Sequence, residues 1–125
     1  MQDLKNNLDS VQSIPPAVHS ADQTGTGVDL ANFDGAMAEF STGADVAGTH
    51  APKLQESDVL GSGYADVAAA DLIGTLPADM AANSVYRQGY KGSKQFIRAF
   101  VTTSGASLAY GANVIRGFPR KAPVA

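Results

Sequence analysis

The side chains able to do chemistry are few. Two histidines, His19 and His50, are the only imidazoles among 125 residues, and cysteine and tryptophan are absent. Without thiols there are no disulfides, thiolate metal sites, iron–sulfur ligands or cysteine nucleophiles. A metal site joining a histidine to Asp22, Asp45 or Asp58 needs several ligands converging on one point. No ligand-spacing motif brings them together, so both histidines are read as ordinary strand or surface residues. Asp58, Asp66 and Asp71 cluster near Gly61-Ser-Gly63. Their spacing departs from the calcium-loop pattern of alternating acids, a glycine and a distal glutamate. Asp58 is expected instead to make an Asx-turn ahead of the glycines. No serine lies in a Gly-x-Ser-x-Gly elbow. Glu39 and Glu56 are the only glutamates and fall in separate expected strands, and the glycine runs lack a phosphate-loop lysine. Neither a catalytic centre nor a cofactor site is expected.

Binding is the better prospect. Tyr86-Arg-Gln-Gly-Tyr-Lys-Gly-Ser-Lys-Gln-Phe-Ile-Arg98 interleaves aromatics with bases, the pattern of a stacking platform for single-stranded nucleic acid. Against it, Phe96 and Phe100 are wanted in the core, Arg and Lys commonly fill exposed strand faces, and an isoelectric point near 5.1 repels polyanions at long range. The formal charge of −3 also hides a division. Residues 1–83 carry all 12 acids and only Lys5 and Lys53, a net of −10, whereas residues 84–125 carry seven bases and no acid. Such asymmetry marks either an end that binds a polyanion or two parts that face each other, within one molecule or between copies.

The elements that position these residues read as all-β. Alanine supplies 21 of the 55 hydrophobic residues, and Leu, Ile, Val and Phe together number only 27 of 125, so the core is thin. Residues 1–14 place Leu4, Leu8 and Val11 at helical spacing ahead of Pro15-Pro16, which predicts a short helix or an arm that orders on a neighbour. From residue 15 to 125 one domain is expected, with turns punctuated by Thr24-Gly-Thr-Gly27, Gly61-Ser-Gly63, Gly89 to Gly92 and Ser104-Gly105. Residues 18–21 and 28–30 look like a first hairpin. Residues 36–42 and 50–57 alternate as half-buried strands, and 64–67 reads as a further strand followed by a connector through Ile73 and a loop around Pro77, with a helix of one or two turns at 67–72 as the alternative. Residues 84–90, 95–102 and 107–118 alternate most clearly and are expected to form a meander. The fold class is a small antiparallel β-sandwich or barrel, jelly-roll-like, with an N-terminal arm or helix. No apolar run approaches the ~18 residues of a membrane span, and the N-terminus lacks the features of a signal peptide.

Five stretches carry a resemblance. They are Val28-Asp-Leu-Ala-Asn-Phe-Asp34, Lys53-Leu-Gln-Glu-Ser-Asp58, Tyr64-Ala-Asp-Val-Ala-Ala-Ala-Asp-Leu-Ile-Gly74, Tyr86 through Ala99, and Gly117-Phe-Pro-Arg-Lys-Ala-Pro-Val-Ala125. Together the chain resembles small head proteins of tailed bacteriophages and prophages, over most of residues 15–125. The resemblance implies a structural virion protein, a decoration (cement) or minor capsid protein that binds the major capsid protein. It would be assembled in the host bacterial cytoplasm and carried on the capsid surface, with a minor tail or head–tail connector role as the alternative. It implies no catalytic residues and no membrane partner, and nucleic acid is not the expected ligand. A thin core suits association with copies of itself, as a dimer or trimer. The candidate contact residues are Leu4, Leu8 and Val11 of the arm, and Arg87, Lys91, Lys94, Arg98 and Arg116 of the basic part.

Overall fold

A computed structural model describes residues 1–44, 47–121 and 123. The architecture is all-β: two antiparallel sheets pack face to face without closing into a barrel, so of the two expected alternatives the sandwich is the one formed. The strands are β1 (Leu8–His19), β2 (Gln23–Thr24), β3 (Val28–Asp29), β4 (Phe33–Thr42), β5 (Thr49–Ser57), β6 (Ala65–Asp66), β7 (Leu72–Ile73), β8 (Val85–Tyr90), β9 (Phe96–Ser104) and β10 (Leu108–Pro119). Sheet A runs β1-β10-β4-β8-β7, and sheet B runs β2-β9-β5-β6 with β3 also on β9. A single 3-10 turn at Ala69–Asp71 is the helical element among the described residues, where the sequence allowed one or two turns.

The alternation read from the sequence holds where strands are long. Ala38, Phe40 and Thr42 of β4, Ile97, Ala99 and Val101 of β9, and Leu108, Tyr110, Ala112 and Val114 of β10 all point inward and are buried. Met80 joins them from the loop before β8. Thr42 anchors this loop, donating to the Ala81 carbonyl and accepting from Ser84 N at 2.9 Å, while the Tyr86 hydroxyl accepts from Ala81 N at 2.9 Å.

Three expectations are corrected. Residues 1–14 form neither helix nor detached arm: Leu8–Ser13 begin β1, which pairs along β10 from Leu8–Gly117 to His19–Leu108. The helical spacing of Leu4, Leu8 and Val11 is coincidental. The prolines do not end the element, because β1 is an edge strand and Pro15 and Pro16 sit in a bulge where no ladder N–H is required. Gly111 lies beneath this bulge, and a Cβ there would come within 2.9–3.0 Å of Pro16. Residues 18–21 and 28–30 do not pair as a hairpin; β2 and β3 each attach to β9. Nor do the last three long strands form a meander. β8 and β10 flank β4 in sheet A, while β9 lies in sheet B, so the chain crosses between sheets at both short links. A short glycine-containing loop can cross the layers as readily as it can turn within one.

A second bulge in β1, between Gln12 and Ile14, turns Ser13 and Ile14 inward together. The Ser13 hydroxyl donates to the Thr26 carbonyl (2.9 Å) and accepts from Ala99 N (3.1 Å). Gly25 N donates to the Ala99 carbonyl (2.8 Å), and Thr26 N to the Ser13 carbonyl (2.8 Å). One hydroxyl thus ties the edge of sheet A to the second strand of sheet B.

Candidate functional site

The acid-to-base division is answered first inside the molecule. Lys94 pairs with Asp58 at 2.7 Å, Arg120 with Asp34 at 3.1 Å, and Arg116 with Asp9. Each joins a base from the last third of the chain to an acid from the first half, because antiparallel pairing brings those stretches together. Arg116 lies at one end of the sandwich, where it also donates to the Asp29 carbonyl at 2.7 Å and covers the Phe33 ring at 4.4 Å. Burial lowers the Arg116 pKa. The Asp9 carboxylate offsets that loss of hydration.

The aromatic–basic stretch does not form one platform. Tyr86 and Tyr90 turn inward from β8, and Arg87 points out from sheet A. Phe96, Arg98 and Phe100 lie on the outside of sheet B, half-buried rather than in the core. There two rings already carry a cation: Arg98 stacks on Tyr64 at 4.0 Å and Lys53 on Phe100 at 4.8 Å. Arg98 also donates to Gln55 at 2.8 Å, and Lys53 pairs with Asp66 at 3.1 Å. A base seeking to stack would have to displace these cations.

No three His, Asp or Glu side chains among the described residues converge as metal ligands. Asp45, one of the imagined ligands, lies outside the described residues. His50 is fully buried, with Nε2 2.7 Å from the Ala47 carbonyl and Nδ1 3.2 Å from the Thr103 hydroxyl. A carbonyl can only accept, so Nε2 is the donor there. The ring is a satisfied core group. His19 lies against Tyr110, ring centroids 4.5 Å apart, and contacts the Pro15 carbonyl at 3.0 Å. In the loop after β5 the capping role expected of Asp58 falls to Ser57, whose hydroxyl accepts from Val59 N at 3.0 Å and donates to the Ser62 carbonyl.

What stands out is the outer face of sheet A. One register row across it reads Ser10, Ile115, Met37, Gly89, Ile73. The next reads Leu8, Gly117, Gly35. Each glycine leaves room for a large apolar side chain to lie across the strand. A Cβ on Gly117 would meet Leu8 at 3.0 Å, one on Gly35 would meet the Phe118 ring at 2.8 Å, and one on Gly89 would meet Ile73 at 2.8 Å. The result is an open apolar trough of about 880 Å³, with Lys91 and Lys94 on its rim. Phe118 holds a left-handed backbone, φ 52°, while its side chain is 78% exposed. A bulky non-glycine residue at positive φ is strained, and such strain collects at contact sites. Beyond the trough runs a polar row, Gln12, Asn113, Glu39, Arg87.

Of the eight candidate contact residues, this face gathers Leu8, Lys91, Lys94 and Arg87. Val11 packs on the core, Leu4 is exposed on the turn before β1, Arg98 is on the opposite sheet, and Arg116 lies between the sheets. Met37, Ile73, Ile115 and Phe118 were not singled out from the sequence. Their signal was faint: large apolar residues at outward positions of strands whose inward positions were already apolar. Comparison with protein-family models, curated proteins and solved structures finds no match to the chain.

Proposed function

We propose that the chain is a structural protein of a tailed-bacteriophage particle that decorates the capsid and stabilises it by binding the lattice of major capsid protein. The observation that carries an assembly role is the apolar outer face of sheet A. Monomeric soluble proteins rarely leave a contiguous apolar band in water unless it meets another surface. Here it comprises Leu8, Met37, Ile73, Ile115 and Phe118. The phage context rests on the sequence resemblance, and the sandwich scaffold suits it: a rigid two-layer body presents flat sheet faces rather than a deep cleft. Repetition supplies the energy, since many copies bound to a repeating shell need only modest single contacts. Charges at the rim set register and encounter rate more than affinity.

Two measurements test this. Purified protein added to empty capsids should co-sediment up to a fixed ratio to the shell protein. Densitometry of purified particles should show a large copy number. A few copies per particle would indicate the tail or connector role instead, and no capsid binding at all would overturn the reading. A gel shift with single-stranded DNA that fades steeply with salt would move the assignment to nucleic-acid binding.

A further inference from the structure

We propose that the outer face of sheet A is a self-complementary interface through which two copies of this chain pack face to face about a two-fold axis. The axis lies in the interface, parallel to the strands, between β4 and β8. The inference rests on reading this face as a contact surface and adds the identity of what covers it.

The register supplies the argument. A two-fold axis parallel to two neighbouring strands keeps each residue at its height along the strand and exchanges the strands, so every residue faces its own cross-strand partner on the other copy. Glu39 is the register partner of Arg87, and both sit on the outer face. In a second copy packed this way, each Glu39 would face the other copy's Arg87, giving two symmetric ion pairs. Neither residue belongs to a salt bridge among the described residues of the single chain, so both charges are free for this use. The neighbouring row behaves likewise. Ile115, Met37, Gly89 and Ile73 follow one another across four strands. Exchange of β4 with β8 places Ile115 over Ile73 of the second copy, and Met37 over its Gly89, across which Ile73 lies. One operation therefore matches charge with opposite charge and apolar band with apolar band. Moving the axis by half a strand spacing, onto β4, would set Glu39 on Glu39 and lose both ion pairs.

Face-to-face sheets pack about 10 Å apart with strands inclined by about 30°, so contact is closest near the axis, where these pairs lie. The association is isologous and closes at two copies, leaving the outside of sheet B facing away.

The test is a charge exchange read by sedimentation equilibrium at micromolar concentration and low salt. The wild-type chain is expected at twice its 12.8 kDa mass. Glu39→Arg places two arginines against two arginines, and Arg87→Glu places glutamates against glutamates, so each variant alone is expected at the single-chain mass. An equimolar mixture of the two restores opposite charges at both contacts and is expected to regain the doubled mass. Circular dichroism of each variant checks that it remains folded, and the mixture decides even if one is weakened. A wild-type monomer, a trimer, or a dimer indifferent to both exchanges overturns the proposal. A monomer that still binds capsids sinks this interface and leaves the shell reading standing. A two-fold dimer that ignores capsids does the reverse.

Discussion

Replacing Ser13 by alanine removes one oxygen atom and should cost far more than one ordinary hydrogen bond. The Ser13 hydroxyl donates to the Thr26 carbonyl and accepts from Ala99 N–H. Thr26 is exposed, so its carbonyl can recover a water molecule, and that half of the loss is about 0.5–1 kcal/mol. Ala99 is fully buried. Its carbonyl on the same side of β9 is taken by Gly25 N, so the strand ladder with β5 cannot satisfy its N–H. Gly25 packs directly against the Ser13 hydroxyl, where a Cβ would overlap it, so the N–H is closed in on that side. An unsatisfied buried N–H costs about 1–3 kcal/mol, giving a total of about 1.5–4 kcal/mol. Urea unfolding with a slope of about 1–3 kcal/mol per molar should show the midpoint falling by about 1–2 M at unchanged slope. Ser10→Ala, on the exposed side of the same strand, should stay within about 0.5 kcal/mol of the parent. Amide exchange at Ala99 should accelerate selectively. A midpoint no lower than that of Ser10→Ala would refute the idea that this hydroxyl joins the sheets.

Alkaline stability follows from two tyrosines. Burial, the dominant cause, pushes Tyr90 and Tyr110 up to about 12 from 10.0. Between pH 10 and 12 the folded chain keeps protons that the unfolded chain releases, so stability falls as pH rises through that window. Tyr110→Phe should flatten the fall in pH-dependent urea midpoints at little intrinsic loss. The Tyr110 hydroxyl is buried without a well-formed hydrogen bond, although Thr103 lies close enough to favour its ionised form. Arg116→Ala should destabilise by about 1–3 kcal/mol, because Asp9 loses a partly shielded partner; Asp9→Asn should cost less, and thermal unfolding will rank them. Deleting residues 1–7 should leave the unfolding midpoint nearly unchanged, whereas deleting 1–14 removes half of β1 with Ser13 and Ile14 and should abolish cooperative unfolding.

The inward faces of β4, β9 and β10 were legible because their alternation survives over seven or more residues, long enough to exclude a helix. β1 was not, for two local reasons. Leu4, Leu8 and Val11 happen to repeat at helical intervals, and the bulge at Ser13 breaks the period-two pattern just where a reader would look for it. Pairing was illegible for a different reason. Hydrophobic alternation fixes which face of a strand is buried but carries no label for its neighbour, so the link from Tyr90 to Phe96 reads equally as a turn or a crossing. The apolar band was hidden most deeply. It is assembled from outward residues of four strands spread between Leu8 and Phe118, and from three glycines whose significance is visible only once Leu8, Ile73 and Phe118 lie across them.

The prolines of β1 bear on how such a protein behaves when crowded. The free edge of sheet A is the longest unpaired ladder among the described strands, the natural template for one chain to add to the next without limit. Pro15 and Pro16 have no N–H to offer there, and the bulge they occupy bends the edge out of register. Open-ended strand addition is thereby capped, while contacts through a sheet face remain available and stop at a fixed number of copies. At high local concentration the chain is steered away from fibrils that grow through this edge.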